Sequence, residues 1–184
     1  MLERNLPKSA ILLSERPLVA ISAERIASVI RIGSRLIIHA VGLGRTAVDD
    51  GDGKTFELIR SAFEIDGDNL IENDELLRTD AFVAVTCDAD LEAIIRLTDV
   101  EGAEVRITAT AKTMFRKARK YAAAIAPDGL LISRGQDALV AVRRDKFVAA
   151  TQDALGEVSV RVELRNAPCK ILRIDAEQLE EIPF

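Results

Sequence analysis

The sequence predicts an α+β fold with repeated strand-to-helix junctions, helices packed on a largely antiparallel sheet, and two similar lobes. Three observations carry this expectation. A short apolar strand, a small polar residue and an amphipathic stretch recur at 18–35, 82–98, 105–125 and, in shorter form, 171–182. After the third of these comes a run of strands whose connections are too short for crossovers, which requires antiparallel pairing. The spacing between junctions is irregular, so an array of many equal repeats is not expected.

Taken in order, 17–21 reads as a strand, and Ser22 stands where an N-cap would open a helix over 23–34. At about 100° per residue, Ile26, Val29 and Ile30 share a face with Ala23 and Ala27, while Glu24, Arg31 and Arg35 lie opposite. The apolar run 36–41 suits a buried strand, and 42–53, rich in Gly and Asp, reads as a loop. The stretch 55–63 fits either helix or strand, and 64–69 is a turn. A strand at 81–87 is followed by Asp88 as the cap of a helix over 89–98. A strand at 104–109 leads to Thr110, which can cap a long helix over 111–125, and Pro127-Asp128-Gly129 makes a turn. Strands follow at 129–134, 138–144, 146–151, 157–164 and 169–174, with a closing helix of one or two turns. This divides the chain into a lobe over 1–102, carrying an acidic insertion at 46–80, and a lobe over 103–184 carrying the helix at 111–125.

Hydrophobic residues make up 48% of the 184 residues and aromatic ones only 4%, with no Trp, so the core must be built from Ile, Leu, Val and Ala. So few aromatics also argue against base-stacking platforms for single strands. No apolar run reaches the roughly 18 residues that span a bilayer, so no membrane partner is expected. Charges interrupt the first apolar stretch too soon for a secretory signal. Cys87 and Cys169 lie far apart on strand ends, as small buried thiols do. A reducing cytoplasm fits.

Charge is unevenly distributed along the chain. Residues 46–104 hold 17 Asp and Glu against 4 Lys and Arg, whereas residues 105–173 hold 14 Lys and Arg against 6 Asp and Glu. Such blocks favour partners of opposite sign, including a second copy of the same chain.

The helix at 111–125 is the sharpest functional surface. Lys112, Arg116, Arg119 and Lys120 fall within a quarter turn, with Lys117 further round, and Met114, Ala118, Tyr121 and Ile125 occupy the opposite arc. No acidic residue interrupts this cationic ridge, which suits nucleic-acid phosphates or an acidic protein surface. A second candidate is the acidic stretch 63–76. Its oxygen donors at Glu64, Asp66 and Asp68, with Glu75 at the twelfth place, have spacing that resembles the calcium loop of EF-hand proteins. Asn69 stands in that loop's glycine position. An acidic loop facing solvent is the plainer expectation.

Nucleotide motifs are weaker. Gly42-Leu43-Gly44-Arg45-Thr46-Ala47 matches a dinucleotide fingerprint, which must open a helix but here runs into loop residues. Gly53-Lys54-Thr55 resembles the end of a phosphate-binding P-loop, yet aspartates crowd it. The only histidine, His39, lies in an apolar run, where a hydrogen-bonded core histidine is the expected role. No cluster of His and Cys offers a zinc site, and no Ser or Cys stands in a nucleophile turn.

The order of elements over 105–182, with LLISRGQDALVAV followed by KILRIDAEQLEEI, resembles one lobe of a sliding DNA clamp. That resemblance implies repeated strand-helix-strand units and a basic helix whose Lys112, Arg116, Arg119 and Lys120 meet phosphates. The sequence therefore reads as a binding or assembly module without catalysis or a cofactor, one that self-associates or holds a charged macromolecule. An enzyme is the less supported alternative.

Overall fold

A computed structural model describes residues 10–15, 18–65, 67–88, 92–134, 138–175 and 180–181. The chain separates into two compact units, 1–79 and 80–184, where the sequence suggested 1–102 and 103–184. The class is α+β and mostly sheet: four antiparallel sheets and two α-helices among the described residues.

In the first unit, β1 (Ala10–Glu15) and β2 (Leu18–Ser22) pair as an isolated hairpin. A 3-10 turn (Ala23–Arg25) leads into β3 (Ile26–Ile32), followed by β4 (Arg35–Ala40) and β5 (Gly44–Asp49). Then come α1 (Lys54–Ile65), β6 (Leu70–Ile71) and β7 (Glu75–Leu77). Strand order is β5-β4-β3-β7-β6. Phe56, Ile59 and Phe63 of α1 are buried in one cluster with Val29, Leu36, Ile38 and Leu76 of the sheet and Ile11, Leu13 and Ile21 of the hairpin.

Two expectations fail here. The helix expected over 23–34 is the 3-10 turn and strand β3, and Ser22 makes no side-chain cap. Ile26, Ala27, Ser28 and Val29 are all buried, because β3 is a central strand covered on both faces. Such a strand shows no alternation, and its β-branched residues decide against helix. The supposed loop 42–53 contains β5, whose mostly exposed alternating pattern hid it.

The ambiguous stretch 55–63 is helical, and the decision is local. Asp50, itself buried, accepts hydrogen bonds from Thr55 N and Phe56 N, each at 2.9 Å, and so caps α1.

The second unit begins, after the 3-10 turn Thr79–Ala81, with β8 (Phe82–Asp88), β9 (Glu92–Asp99) and β10 (Glu104–Thr108). Then follow α2 (Ala111–Ile125), β11 (Leu130–Arg134) and β12 (Ala138–Val142). A 3-10 turn (Arg144–Lys146) introduces β13 (Phe147–Gln152), β14 (Glu157–Val162) and β15 (Lys170–Asp175), and β16 (Glu180–Glu181) pairs with β11. The large sheet runs β10-β9-β8-β12-β11-β16, and β13-β14-β15 form a separate meander.

The helix expected at 89–98 is strand β9 from Glu92 on, and 89–91 lie outside the described residues. Its described part alternates, with Ile95 and Leu97 buried and Arg96 between them half-exposed. The helix α2 occupies the expected residues, but Thr110 does not cap it through its side chain. Instead its Oγ1 lies 2.8 Å from Thr113 Oγ1. Of the closing helix, 176–179 and 182 lie outside the described residues, and 180–181 are strand.

The repeating unit is a 3-10 turn, a three-stranded meander, a helix and a hairpin, in place of the strand-helix-strand unit implied by the clamp resemblance. It occurs complete twice, with matching sheet order. Among the described residues, a third copy comprises its turn and meander, β13 to β15.

The correspondence reaches single residues. Each first strand has its register shift at the same place, between Ile26 and Ser28, Phe82 and Ala84, and Phe147 and Ala149. Each 3-10 turn also accepts one equivalent bond: Val41 N to Arg25 O, Val100 N to Ala81 O, and Glu163 N to Lys146 O, at 2.8, 2.9 and 2.8 Å. A bulge kept at one position in all three copies is a designed twist, not a local accident.

Candidate polyanion-binding surface

Helix α2 is amphipathic in the strict sense. Met114, Ala118, Tyr121, Ala122 and Ile125 are buried and pack the helix on β8, β9 and β12. The i, i+4, i+7, i+8, i+11 spacing places them on one stripe.

Of the cations expected on the other side, Lys112, Arg116, Arg119 and Lys120 are exposed and Lys117 is half-buried. Lys117 Nζ lies 5.8 Å from the Tyr121 ring, and the Arg119 guanidinium lies 4.9 Å from the Phe115 ring. These ring contacts hold two of the long side chains at rest over apolar surface. Among the described residues, the side chains of Lys112 and Arg116 form no ion pair or hydrogen bond. The structure thus brings the five cations onto one helix, within which no Asp or Glu stands.

Local energetics run against this arrangement in isolation. Lys112 with Arg116, and Arg116 with Lys120, are like charges four residues apart, each pair costing about 0.2–0.5 kcal/mol. Lys112 also sits in the first turn, where the helix dipole favours an anion. A helix that repels itself in this way is relieved by an external polyanion.

The acidic block is less of a single field than its composition suggests. Arg31 pairs with Asp74 at 3.1 Å, Lys54 with Asp52 at 2.8 Å, Arg60 with Glu64 at 3.3 Å, and Arg106 with Glu104 at 2.9 Å. The Lys54 ammonium holds the Asp52 carboxyl below its ordinary range, and Asp52 in turn raises Lys54. Surface pairs of this kind add little to stability, but they leave fewer bare carboxylates for a basic partner.

The proposed calcium donors are dispersed. Glu64 is in the last turn of α1, tied to Arg60. Asp66 lies outside the described residues. Asp68 is exposed, and its carbonyl accepts the Thr79 hydroxyl at 2.9 Å. Glu75 is in strand β7, where its carbonyl accepts from Glu72 N. Among the described residues, no three His, Cys, Asp or Glu side chains gather in a way that could hold a metal ion.

The other motifs resolve into structure. Gly42 to Gly44 turns β4 into β5, so the dinucleotide-like motif opens no helix. Lys54 does open one, but the N–H groups of Thr55 and Phe56, which a phosphate would need, are taken by Asp50. His39 is buried on β4 opposite Arg45.

Cys87 is buried on β8, where burial first and the neighbouring Asp88 charge second push its thiol up to about 12. It stays protonated at neutral pH and is no nucleophile. Cys169 is exposed.

Arg78, which the sequence did not single out, is buried. Its Nε donates to Ile26 O at 3.2 Å, its Nη2 to Ala23 O at 3.3 Å, and its guanidinium lies 4.7 Å from the Phe63 ring. It clamps the 3-10 turn of the first repeat, a structural duty that only the fold reveals.

Comparison with known proteins adds little. No protein-family model matches the chain, and no curated protein sequence matches it. Among solved structures, the chain is similar to the LytTr DNA-binding domain of a methyl-accepting/DNA response regulator from Bacillus cereus. That similarity is at 14% identity and a TM-score of 0.34, over 61% of this chain and 98% of that one.

Proposed function

We propose that this chain is a binding module that holds a polyanion, nucleic-acid phosphates first of all, along the exposed side of α2. The observation carrying this reading is the exposed row Lys112, Arg116, Arg119 and Lys120, with no carboxylate interleaved and two members without any ion pair among the described residues. The buried stripe beneath keeps the helix fixed on its sheet, so the row is presented without ordering a mobile segment, and less entropy is lost on binding.

The test is duplex DNA retention by fluorescence anisotropy across a salt series, comparing the natural chain with one carrying Glu at Lys112, Arg116, Arg119 and Lys120. If each cation neutralises one phosphate, the logarithmic salt slope is roughly 3–4 and collapses in the variant. Equal retention by both proteins would refute the reading. Retention of polyglutamate in place of DNA would move it to an acidic protein surface.

A further inference from the structure

Among the described residues, the third repeat consists of its 3-10 turn and meander. In both complete repeats, the first strand lies between its meander neighbour and the last strand of the hairpin: β3 between β4 and β7, β8 between β9 and β12. The corresponding strand β13 pairs with β14 alone among the described residues. Burial follows: Ala27 and Val83, the bulged residues of β3 and β8, are fully buried, while their counterpart Val148 is 49% exposed. Ala149, Ala150, Thr151 and Gln152 are exposed as well.

A hairpin precedes the 3-10 turn of each repeat: β6 and β7 before Thr79–Ala81, β11 and β12 before Arg144–Lys146, and β1 and β2 before Ala23–Arg25. The first two of these close the sheet of the repeat before them. Among the described residues, the hairpin β1–β2 joins the sheet of no repeat and forms a sheet of its own. Its Ile11, Leu13 and Ile21 are buried with α1, so its apolar face is already satisfied, and among the described residues β2 pairs with β1 alone.

We propose that β2 of one copy adds to the open edge of β13 of a second copy, completing the third repeat head to tail. The two known pairings fix the register. Ser28 faces Leu77 and Ala84 faces Val142, each partner two residues before the next 3-10 turn. By that rule Ala149 faces Ile21, Ala150 faces Ala20 and Thr151 faces Val19. The bonds from Arg78 N to Ala27 O and from Arg143 N to Val83 O, at 2.8 and 2.9 Å, then have their counterpart between Ser22 N and Val148 O. Backbone pairing supplies the affinity, and the shared bulge supplies the specificity for this chain's own hairpin. The contact joins two different surfaces, so it propagates from copy to copy and closes only if the rotation returns on itself.

The deciding experiment uses the full chain with Cys169→Ser, so that only the buried Cys87 remains. One preparation carries Val19→Cys, a second Thr151→Cys, a third both. In the proposed register these positions form a closely spaced pair that a disulfide spans. Mixing the two single variants under mild oxidant should give a cross-linked dimer containing one of each, and the double variant should give a ladder of multimers. A double variant that gives only an internally cross-linked monomer overturns the proposal, as does a mixture that forms no heterodimer.

Solution mass provides a second reading. Alternation from Ala27 and Arg31, whose backbones turn toward β7, makes Ala150 face the open edge, so Ala150→Pro removes a donor there without touching the β14 ladder. Its mass should fall to that of one chain while DNA retention persists, which separates this proposal from the α2 reading. An unchanged mass in a folded Ala150→Pro protein also overturns it.

Discussion

Gly102 is pressed against Leu164: a Cβ at Gly102 would come within 2.7 Å of Leu164 Cδ1. This turn between β9 and β10 is where the third meander fastens to the second repeat. Arg165 N donates to Val100 O at 2.8 Å, and Lys170 Nζ donates to Gly102 O at 2.9 Å. Gly102 also has φ of 91°, a left-handed conformation that a side chain resists. Gly102→Ala should therefore destabilise the chain by about 1–3 kcal/mol. Gly33→Ala, at φ of 62° but with open space around it, pays only the backbone cost. Thermal melting of the two variants side by side should show the larger drop for Gly102.

Removing the Arg78 clamp takes a donor from the buried Ile26 carbonyl and a second donor from the Ala23 carbonyl, which keeps its bond from Ile26 N, and uncovers the Phe63 ring. Arg78→Met should cost about 2–4 kcal/mol in urea unfolding. Arg78→Lys should not restore the loss, because an ammonium cannot reach both carbonyls while stacking flat on the ring.

Asp50 holds the start of α1 with two backbone bonds from one buried carboxylate. Asp50→Ala should lower stability by about 1–2 kcal/mol, and Asp50→Asn, which keeps one acceptor oxygen, by less. Far-ultraviolet circular dichroism during denaturant titration would rank the two.

The cysteines should differ sharply in reactivity. Cys169 should be alkylated rapidly at mildly alkaline pH, and Cys87 only after unfolding. The same shift sets a pH dependence. Once unfolded, the Cys87 thiol loses its proton near its ordinary value of 9.0, whereas folded it holds the proton to about 12. Between those values the unfolded chain binds fewer protons, so the contribution of Cys87 is fully present below pH 9 and is lost as pH rises toward 12. Cys87→Ala should flatten that decline. Equal slopes for both proteins in denaturant titrations at alkaline pH would contradict it.

The parts of the fold that were legible beforehand are those in which a single periodicity dominated. Helix α2 and strands β8, β10 and β12 to β15 follow from their patterns because each has one consistent signal. Strand β3 was missed for the opposite reason. Ile26, Val29 and Ile30 satisfy helical spacing by coincidence, and a strand buried on both faces gives no alternation to compete with it. The true repeat escaped notice because its most regular mark, the bulge after each 3-10 turn, is a matter of pairing geometry and leaves no residue type behind: Ala27, Val83 and Val148 share little beyond being small or β-branched. The cationic row was readable because charge on a helix surface needs only the 100° rule, whereas the role of Arg78 depends on Phe63 and Ala23 coming together through folding.

The 3-10 turns at Thr79–Ala81 and Arg144–Lys146 sit at the joints where one repeat hands the chain to the next, and each follows directly on the strand that closes the sheet before it. A protease cutting at any of these joints would sever a closing hairpin from its successor, yet leave the hairpin hydrogen-bonded to the repeat before it. Fragments divided at Arg144–Lys146 should stay together until denatured, because Arg165 N and Lys170 Nζ bond the third meander to the turn between β9 and β10. Expressed separately, they should find each other again, as a split reporter does.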